Sequence, residues 1–186
     1  MREAKVISMF FISMGAVLFL QSGMAFWEGI RSVEEGVIER TVPPPIEPTI
    51  EQTFTAGEKI GYLHIPAQQK KISIFEGTSE KELQKGIGHL PKSSLPGQVG
   101  NIVLSGHRDT VFIHIDEWNV GDELVIESFG GKHYTYKIKK TRIVDKDDGT
   151  VLVPRPREEL TITTCYPFHF IGSAPERYIV IAERVK

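Results

Sequence analysis

The sequence predicts a mainly β domain, a closed or nearly closed barrel with little helix, carried on a membrane-spanning N-terminal segment. Several runs of β-branched or aromatic residues predict the strands, because each run is too short for a helix and is bounded by turn residues. An uncharged apolar stretch near the N-terminus predicts the membrane segment. The formal net charge is −2, with acidic and basic residues alternating, so we exclude nucleic acid as a partner.

The apolar stretch covers residues 6–26 and contains no charged side chain. Its length is sufficient to cross a hydrocarbon core of about 30 Å as a helix. Arg2 and Lys5 precede it and Glu34 and Glu35 follow it, so the positive-inside bias predicts a cytoplasmic N-terminus and an extracellular domain. The alternative is a cleaved signal peptide, whose apolar core is usually shorter, about 7–15 residues. We predict a single-pass protein of the cell membrane.

We divide the chain into three parts. Residues 1–27 form a cytoplasmic stub and the membrane anchor, 28–56 a proline-rich extracellular linker, and 57–186 one folded domain. Three consecutive prolines at 43–45 favour an extended spacer, because proline fixes φ and removes a backbone donor. The alternative is an edge segment packed on the domain. The remaining length, about 130 residues, suits one compact domain with its own core.

The strands of the domain are short runs separated by glycine, proline or polar residues. Short strands at this spacing favour an antiparallel barrel over a sheet covered by long helices. In chain order they are predicted at 60–65, 72–75, 101–104, 122–128, 133–140, 160–165 and 177–185.

Two local signals predict a hairpin and a helix. Gly130 and Gly131 separate two strands, the second of which alternates with period two, and this pattern is typical of an antiparallel hairpin. The one clear helical segment is 79–86. Ser79 and Glu82 fit a capping box at its start, and the glycine at position 86 can end it.

The single cysteine, Cys165, ends the strand predicted at 160–165. An exported lone thiol has no disulfide partner within its chain, so it is either a small buried hydrophobe or a group that does chemistry. A thiol attacks carbonyl carbon as thiolate, which requires a basic or cationic neighbour, and acyl transfer also needs donors for the oxyanion. We expect Cys165 to be a nucleophile.

The base must come from the six histidines. His107 follows the apolar strand 101–104 through Ser-Gly and opens a polar turn, and functional residues are concentrated in loops at strand ends. His89 and His169 together are equally good candidates from position alone.

Arg177 is the candidate cation. It begins the strand after Cys165, with the loop 166–176 between them, and both side chains lie at the same end of the sheet if the two strands are antiparallel neighbours. A guanidinium stays protonated and offers a rigid fork of donors to an oxyanion or a substrate carbonyl. The alternative is a surface arginine paired with Glu176 or Glu183.

These motifs resemble those of the sortase family. Residues 161–165 are similar to the TLxTC signature, with Ile162 in place of the usual leucine. Residues 104–110 resemble the catalytic-histidine segment and 177–180 the catalytic-arginine strand. The sequence Cys-Tyr-Pro-Phe at 165–168 is most similar to the class D branch.

The resemblance implies a membrane-anchored cysteine transpeptidase of Gram-positive bacteria, with an eight-stranded β-barrel, that attaches secreted proteins to the cell wall. It assigns Cys165 as nucleophile, His107 as general acid and base, and Arg177 as the residue that stabilises the oxyanion and positions substrate. Thr164, which precedes the nucleophile, is assigned to substrate binding at the oxyanion site. No cofactor is implied.

The implied substrate is a secreted protein with an LPxTG-like or LPxTA-like C-terminal sorting signal, cleaved after threonine. The implied acceptor is an amine of a peptidoglycan precursor, for which diaminopimelate is our expectation. A pilin-polymerising sortase is the runner-up within the family, although no lid segment with an Asp-Pro-aromatic motif precedes the barrel. A non-catalytic membrane-tethered barrel that binds peptides or wall polymers is the alternative from another class.

The acidic run at 145–149 contains oxygen ligands suited to calcium. It lacks the ligand spacing of an EF-hand, so the sequence favours a solvated turn. We predict no required metal.

Overall fold

The computed structural model describes residues 33–35, 53–170 and 172–185. The predicted membrane segment 6–26 and the proline run 43–45 lie outside these residues. In the part of the chain that is described, no helix has the length and apolar character needed to cross a membrane.

Eight strands close into a β-barrel, and a ninth short strand lies beside it. In chain order the described strands are β1 (Val33–Glu35), β2 (Lys59–Ile65), β3 (Lys70–Glu76), β4 (Ile87–His89), β5 (Asn101–Ser105), β6 (Glu123–Ser128), β7 (His133–Asp145), β8 (Glu159–Tyr166) and β9 (Glu176–Arg184). Around the barrel the order is β3-β2-β6-β7-β9-β8-β5-β4, and a parallel β4–β3 pair closes the circle. The mainly β class and the eight-stranded barrel are confirmed.

The strand β1 belongs to the predicted linker 28–56. It pairs antiparallel with β3, with Val33 opposite Ile72, so these three residues extend the sheet as an edge strand. Phe54, also before the predicted domain start at residue 57, packs against the main core. The domain therefore receives contacts from residues assigned to the linker.

Alternation along the strands separates a barrel interior from an outer face. Leu160 and Ile162 of β8 belong to the main core together with Ile102 and Leu104 of β5. Because successive side chains of a strand point to opposite faces, Cys165 projects from the outer face of β8. The strand alternation thus keeps the thiol out of the core.

The predicted hairpin and capping box are both present. Glu127 of β6 lies opposite His133 of β7, and Gly131 in the turn between them has a φ of 76°, a left-handed value that glycine adopts without strain. Helix α1 (Glu80–Leu83) is shorter than the predicted 79–86. The Ser79 amide donates to the Glu82 carboxylate at 3.2 Å, and the Ser79 hydroxyl bond holds the pKa of Glu82 below its usual value.

The structure differs from the strand predictions most at β7 and β4. β7 continues to Asp145, beyond the predicted end at residue 140, because a register shift between Ile138 and Lys140 interrupts the alternation while pairing with β9 continues. β4 was not predicted, since three residues show no periodicity. It pairs with β3 on one side and β5 on the other, so tertiary contacts define it.

Candidate active site

Cys165 and Arg177 are directly opposite each other in the antiparallel β8–β9 pair. Such residues project to the same face with Cβ atoms about 4.5–5.5 Å apart. The thiol is free and partly exposed. β8 and β9 are therefore antiparallel neighbours, as a site shared by the thiol and the guanidinium requires. This site lies on the outer face of the barrel.

His107 reaches the same place through a different strand. β5 and β8 are parallel neighbours with Ser105 opposite Thr163, and the Gly106 amide donates to the Thr163 carbonyl at 3.3 Å just beyond β5. Continuing this register by two residues brings His107 alongside Cys165. Because β8 lies between β5 and β9, the cysteine has the histidine segment on one side and Arg177 on the other.

Gly106 and Thr164 fix the backbone that leads into His107. A Cβ added at Gly106 would approach side-chain atoms of Val111 and Phe112 at 2.6 Å, so only glycine fits this packing. The buried Thr164 hydroxyl donates to the Gly106 carbonyl at 2.7 Å. The substrate-binding role assigned to Thr164 stays a prediction, and its described contact supports the histidine segment.

The His107 imidazole is only weakly held. Its side chain is 32% exposed, and its Nε2 lies 3.4 Å from Oε1 of Glu80, a carboxylate that is 67% exposed. Solvent screens such a pair, so it contributes little to stability. The ring therefore has little in its described surroundings that would keep it from changing partners. The rival His169 is exposed in the loop after Cys165.

The rival His89 is in a different state. It is 2% exposed, and its Nδ1 lies 2.7 Å from Oε2 of Glu76. Its Nε2 lies 2.9 Å from the Ser93 hydroxyl and 3.1 Å from the Ser94 carbonyl. Both ring nitrogens are engaged inside the protein, so His89 has a structural role, and the geometry favours His107 as the base.

The Arg177 guanidinium is held by carbonyls of its own segment. Its Nη1 donates to Ala174 at 3.2 Å and to Glu176 at 2.9 Å, whereas Glu183 lies 3.5 Å from Lys139 Nζ. The backbone carbonyl of Glu176, not its carboxylate, is the described partner. This anchoring orients one nitrogen, and the remaining donors have no partner among the described residues.

Arg108 is a site residue whose role sequence reasoning did not identify. Its Nη1 donates to the Pro167 carbonyl at 2.9 Å, and its Nη2 donates to the Phe170 carbonyl. The sequence places an arginine directly after His107, but it does not indicate which carbonyls the guanidinium meets. The contact joins the histidine segment to the turn that follows Cys165.

The outer face also carries a recess at the opposite end of β5. Asn101 donates to the carbonyls of Val151 at 3.0 Å and Val153 at 3.2 Å, and accepts from the Thr161 hydroxyl at 2.7 Å. These bonds hold the loop before β8 against the strand. A cavity of about 230 Å³ beside it is lined by Leu90, Pro91, Lys92, Ser93, Ser94, Asn101, Leu152 and Pro154.

Among the residues that the structure describes, one group of side chains has metal-ligand chemistry, and it lies away from Cys165. Donor atoms of His64, Glu127 and His133, on β2, β6 and β7, lie within 4.8 Å of one another. The Lys71 ammonium is 3.0 Å from the Glu127 carboxylate and His64 Nε2 is 2.7 Å from it. Lys71 therefore already supplies a positive charge to the Glu127 carboxylate. Burial lowers the pKa of His64.

The acidic turn at 145–149 uses its carboxylates locally. Oδ1 of Asp145 accepts from the Asp147 amide at 2.9 Å, and Oδ1 of Asp148 accepts from the Thr150 amide at 2.8 Å. Hydrogen bonds from the side chain and then the backbone of Thr150 hold the pKa of Asp148 below its usual value. These contacts are typical of a capped turn.

Comparisons with known proteins agree with this geometry. A model of the sortase domain matches residues 63–185. Sortase D of Bacillus subtilis (strain 168) is 39% identical, over 97% of this chain and 98% of that protein. A Clostridium perfringens sortase D transpeptidase superposes with a TM-score of 0.65 at 29% identity, covering 72% of this chain and 83% of that one. The catalytic domain of B. anthracis SrtD has a TM-score of 0.62 at 41% identity, covering 74% of this chain and 95% of that one. The chain therefore belongs to the sortase family and is a homologue of the class D sortases.

Proposed function

We propose that this sortase cleaves an LPxTG-like or LPxTA-like sorting signal after threonine and transfers the secreted protein to a peptidoglycan amine. Membership of the family supports a transpeptidase. The observation that carries the finer proposal is the row of His107, Cys165 and Arg177 on three neighbouring segments of the outer face.

The first half of the reaction is acylation of the enzyme. The Cys165 thiolate attacks the threonine carbonyl of the signal, and Arg177 stabilises the oxyanion from the adjacent strand. His107 then donates a proton to the departing amine as the peptide C–N bond breaks. The product is a thioacyl-enzyme on Cys165.

The second half returns the thiolate. An acceptor amine loses a proton to His107 and attacks the thioester, and the C–S bond breaks as the new amide forms. Thioester aminolysis retains the acyl bond energy, so the transfer needs no nucleotide. Water competes with the amine for the same thioester, and a bound acceptor gains effective molarity over a colliding one.

We also propose the placement predicted from the sequence. Residues 6–26 anchor the chain in the cell membrane with the N-terminus in the cytoplasm, and the catalytic domain faces outward. The uncharged run and the basic residues before it support this proposal. The clients are then secreted proteins and the acceptor is a cell-wall precursor met at the same membrane face.

A peptide panel tests the proposed function. The detergent-solubilised chain is incubated with LPxTG and LPxTA peptides, with and without diaminopimelate, and the products are identified by mass. We expect cleavage after threonine and an amide yield that saturates with amine concentration. Hydrolysis alone with every amine would contradict the transpeptidase proposal. An acceptor peptide that carries a lysine ε-amine tests the pilin-polymerising alternative. Transfer to that peptide in preference to diaminopimelate would favour it.

A further inference from the structure

Arg108 makes a forked contact with the turn that follows the nucleophile. Its two terminal nitrogens donate to the carbonyls of Pro167, at 2.9 Å, and of Phe170. The guanidinium is planar, and its donors suit two acceptors held at a fixed spacing. A single side chain therefore fixes both ends of the turn Pro167, Phe168, His169 and Phe170.

The contact joins two segments that each carry one of the proposed catalytic groups. Arg108 directly follows His107, and Pro167 comes two residues after Cys165. The loop that begins with this turn ends at Arg177, whose Nη1 donates to the Ala174 carbonyl of the same loop. The Arg108 contact thus connects the segment of the base to the loop between the thiol and the guanidinium.

Other contacts hold the inner part of this loop. The Phe168 ring packs 5.1 Å from the Tyr166 ring and 5.1 Å from the Tyr178 ring, and Phe168 contacts the main core. The outer part is held differently, since Phe170 is 42% exposed. Among the described hydrogen bonds, those of Arg108 are the ones that connect the turn to the rest of the barrel.

We propose that Arg108 is a positioning residue, which holds the turn after Cys165 against the His107 segment and so keeps the three catalytic groups in register while a peptide is bound. This inference rests on the proposed function. Misplacing a reacting group by about 1 Å can cost a factor of about 100 in rate. Loss of the fork is therefore expected to lower kcat about 10- to 100-fold, with little change in KM.

Two substitutions separate the fork from the charge. Arg108→Lys keeps the positive charge and loses the planar fork, and Arg108→Gln loses both. Arg157→Lys is the matched control, because Arg157 is exposed and is not part of the site. The full-length chain and its variants are compared by cleavage of a quenched fluorescent sorting peptide, by alkylation of Cys165 with iodoacetamide, and by hydrogen exchange of the Phe170 amide, which donates to the Pro167 carbonyl at 3.3 Å.

We expect both Arg108 variants to lose kcat while the alkylation rate of Arg108→Lys stays within about twofold, because a small reagent does not need the positioned loop. The Phe170 amide should exchange faster, because it donates to the Pro167 carbonyl of the turn that Arg108 holds, with exchange elsewhere unchanged. Arg157→Lys should match the parent in every measurement.

Three results would overturn the proposal. Full kcat in Arg108→Lys would show that charge alone matters, unchanged exchange would show that the turn does not depend on Arg108, and a rise in KM without loss of kcat would indicate direct substrate contact. If the parent chain cleaves no sorting peptide, the proposed function fails instead, and hydrogen exchange still tests the Arg108 contact.

Discussion

His89 and the His107 segment lie on neighbouring strands, yet the two imidazoles are in opposite states. His89 is buried, with a carboxylate on one nitrogen and serine oxygens on the other. His107 is partly exposed and has a loose partner in Glu80. Since the residue type is the same, its surroundings decide which ring is fixed in the fold and which is free to change partners.

The two histidines lie in parts of the barrel that differ in how firmly they hold a side chain. Strand β4 carries a histidine that ties the end of β3 to the loop after β4, and the segment beyond β5 carries one that lies beside Cys165. A ring with both nitrogens engaged cannot change partners during a reaction without breaking buried hydrogen bonds. A loosely paired ring can, provided that its backbone is fixed, as the Thr164 bond to Gly106 fixes it.

The largest expected effect is that of His107→Ala. We expect sorting-peptide cleavage to fall by several orders of magnitude, beyond the factor of about 10²–10⁴ usual for losing general acid–base help, because the thiolate also loses its partner. The melting temperature should stay close to that of the parent, since the ring is partly exposed. Near-normal turnover in a steady-state assay would contradict the contrast between the two histidines, and the base would then be His169 or His89.

Arg177→Lys is expected to have the next largest effect. Lysine keeps the charge but loses the fork, so kcat should fall by about 10²–10³, the range for losing one oxyanion donor. The measurement is steady-state cleavage of a quenched fluorescent peptide, with Arg142→Lys on the exposed face of β7 as control. Activity within about threefold of the parent would make Arg177 a surface arginine.

His89→Phe sharpens the comparison from the other side. The ring shape is kept while its bonds to Glu76 and Ser93 are lost, so buried polar groups are left without partners. We expect the free energy of unfolding to drop by about 1–3 kcal/mol. The activity of the folded fraction should change little. Urea denaturation read together with active-site titration checks both, and a large kcat loss at unchanged stability would contradict the structural role.

Glu80→Gln is expected to have the smallest effect. The pair with His107 is exposed and screened, so cleavage should stay within about twofold of the parent at moderate salt. The assay is repeated at low and high ionic strength. A loss of tenfold or more would show that Glu80 orients the imidazole during the reaction, and His107 would then be less free than its exposure indicates.

The sequence was sufficient to predict the residue types and the strand ends of the site. Cys165 and Arg177 flank one loop, which makes them neighbours once the two strands are antiparallel. His107 is predicted as the base because it opens the polar turn that follows an apolar strand. These signals are local in the chain, and local patterns are what a single sequence carries.

The remaining features depend on contacts between distant residues. The parallel register of β5 with β8 places His107 beside Cys165, and nothing in either run specifies a partner 58 residues away. Strand β4 is too short to show a period, and it becomes a strand by pairing on both sides. The hydrogen bonds on both ring nitrogens of His89, and those from Arg108 to backbone carbonyls, likewise form only in the folded barrel.

The central claim is that Cys165 forms a thioacyl-enzyme that an amine resolves. The most direct measurement is the intact mass of the full-length chain during a single turnover with a sorting peptide, followed by a chase with diaminopimelate and peptide mapping. We expect an LPxT acyl adduct on Cys165, absent in Cys165→Ala, that converts to the diaminopimelate amide with a rate that saturates in amine. No adduct, an adduct on another residue, or discharge that yields only the free acid whatever the amine would contradict the account.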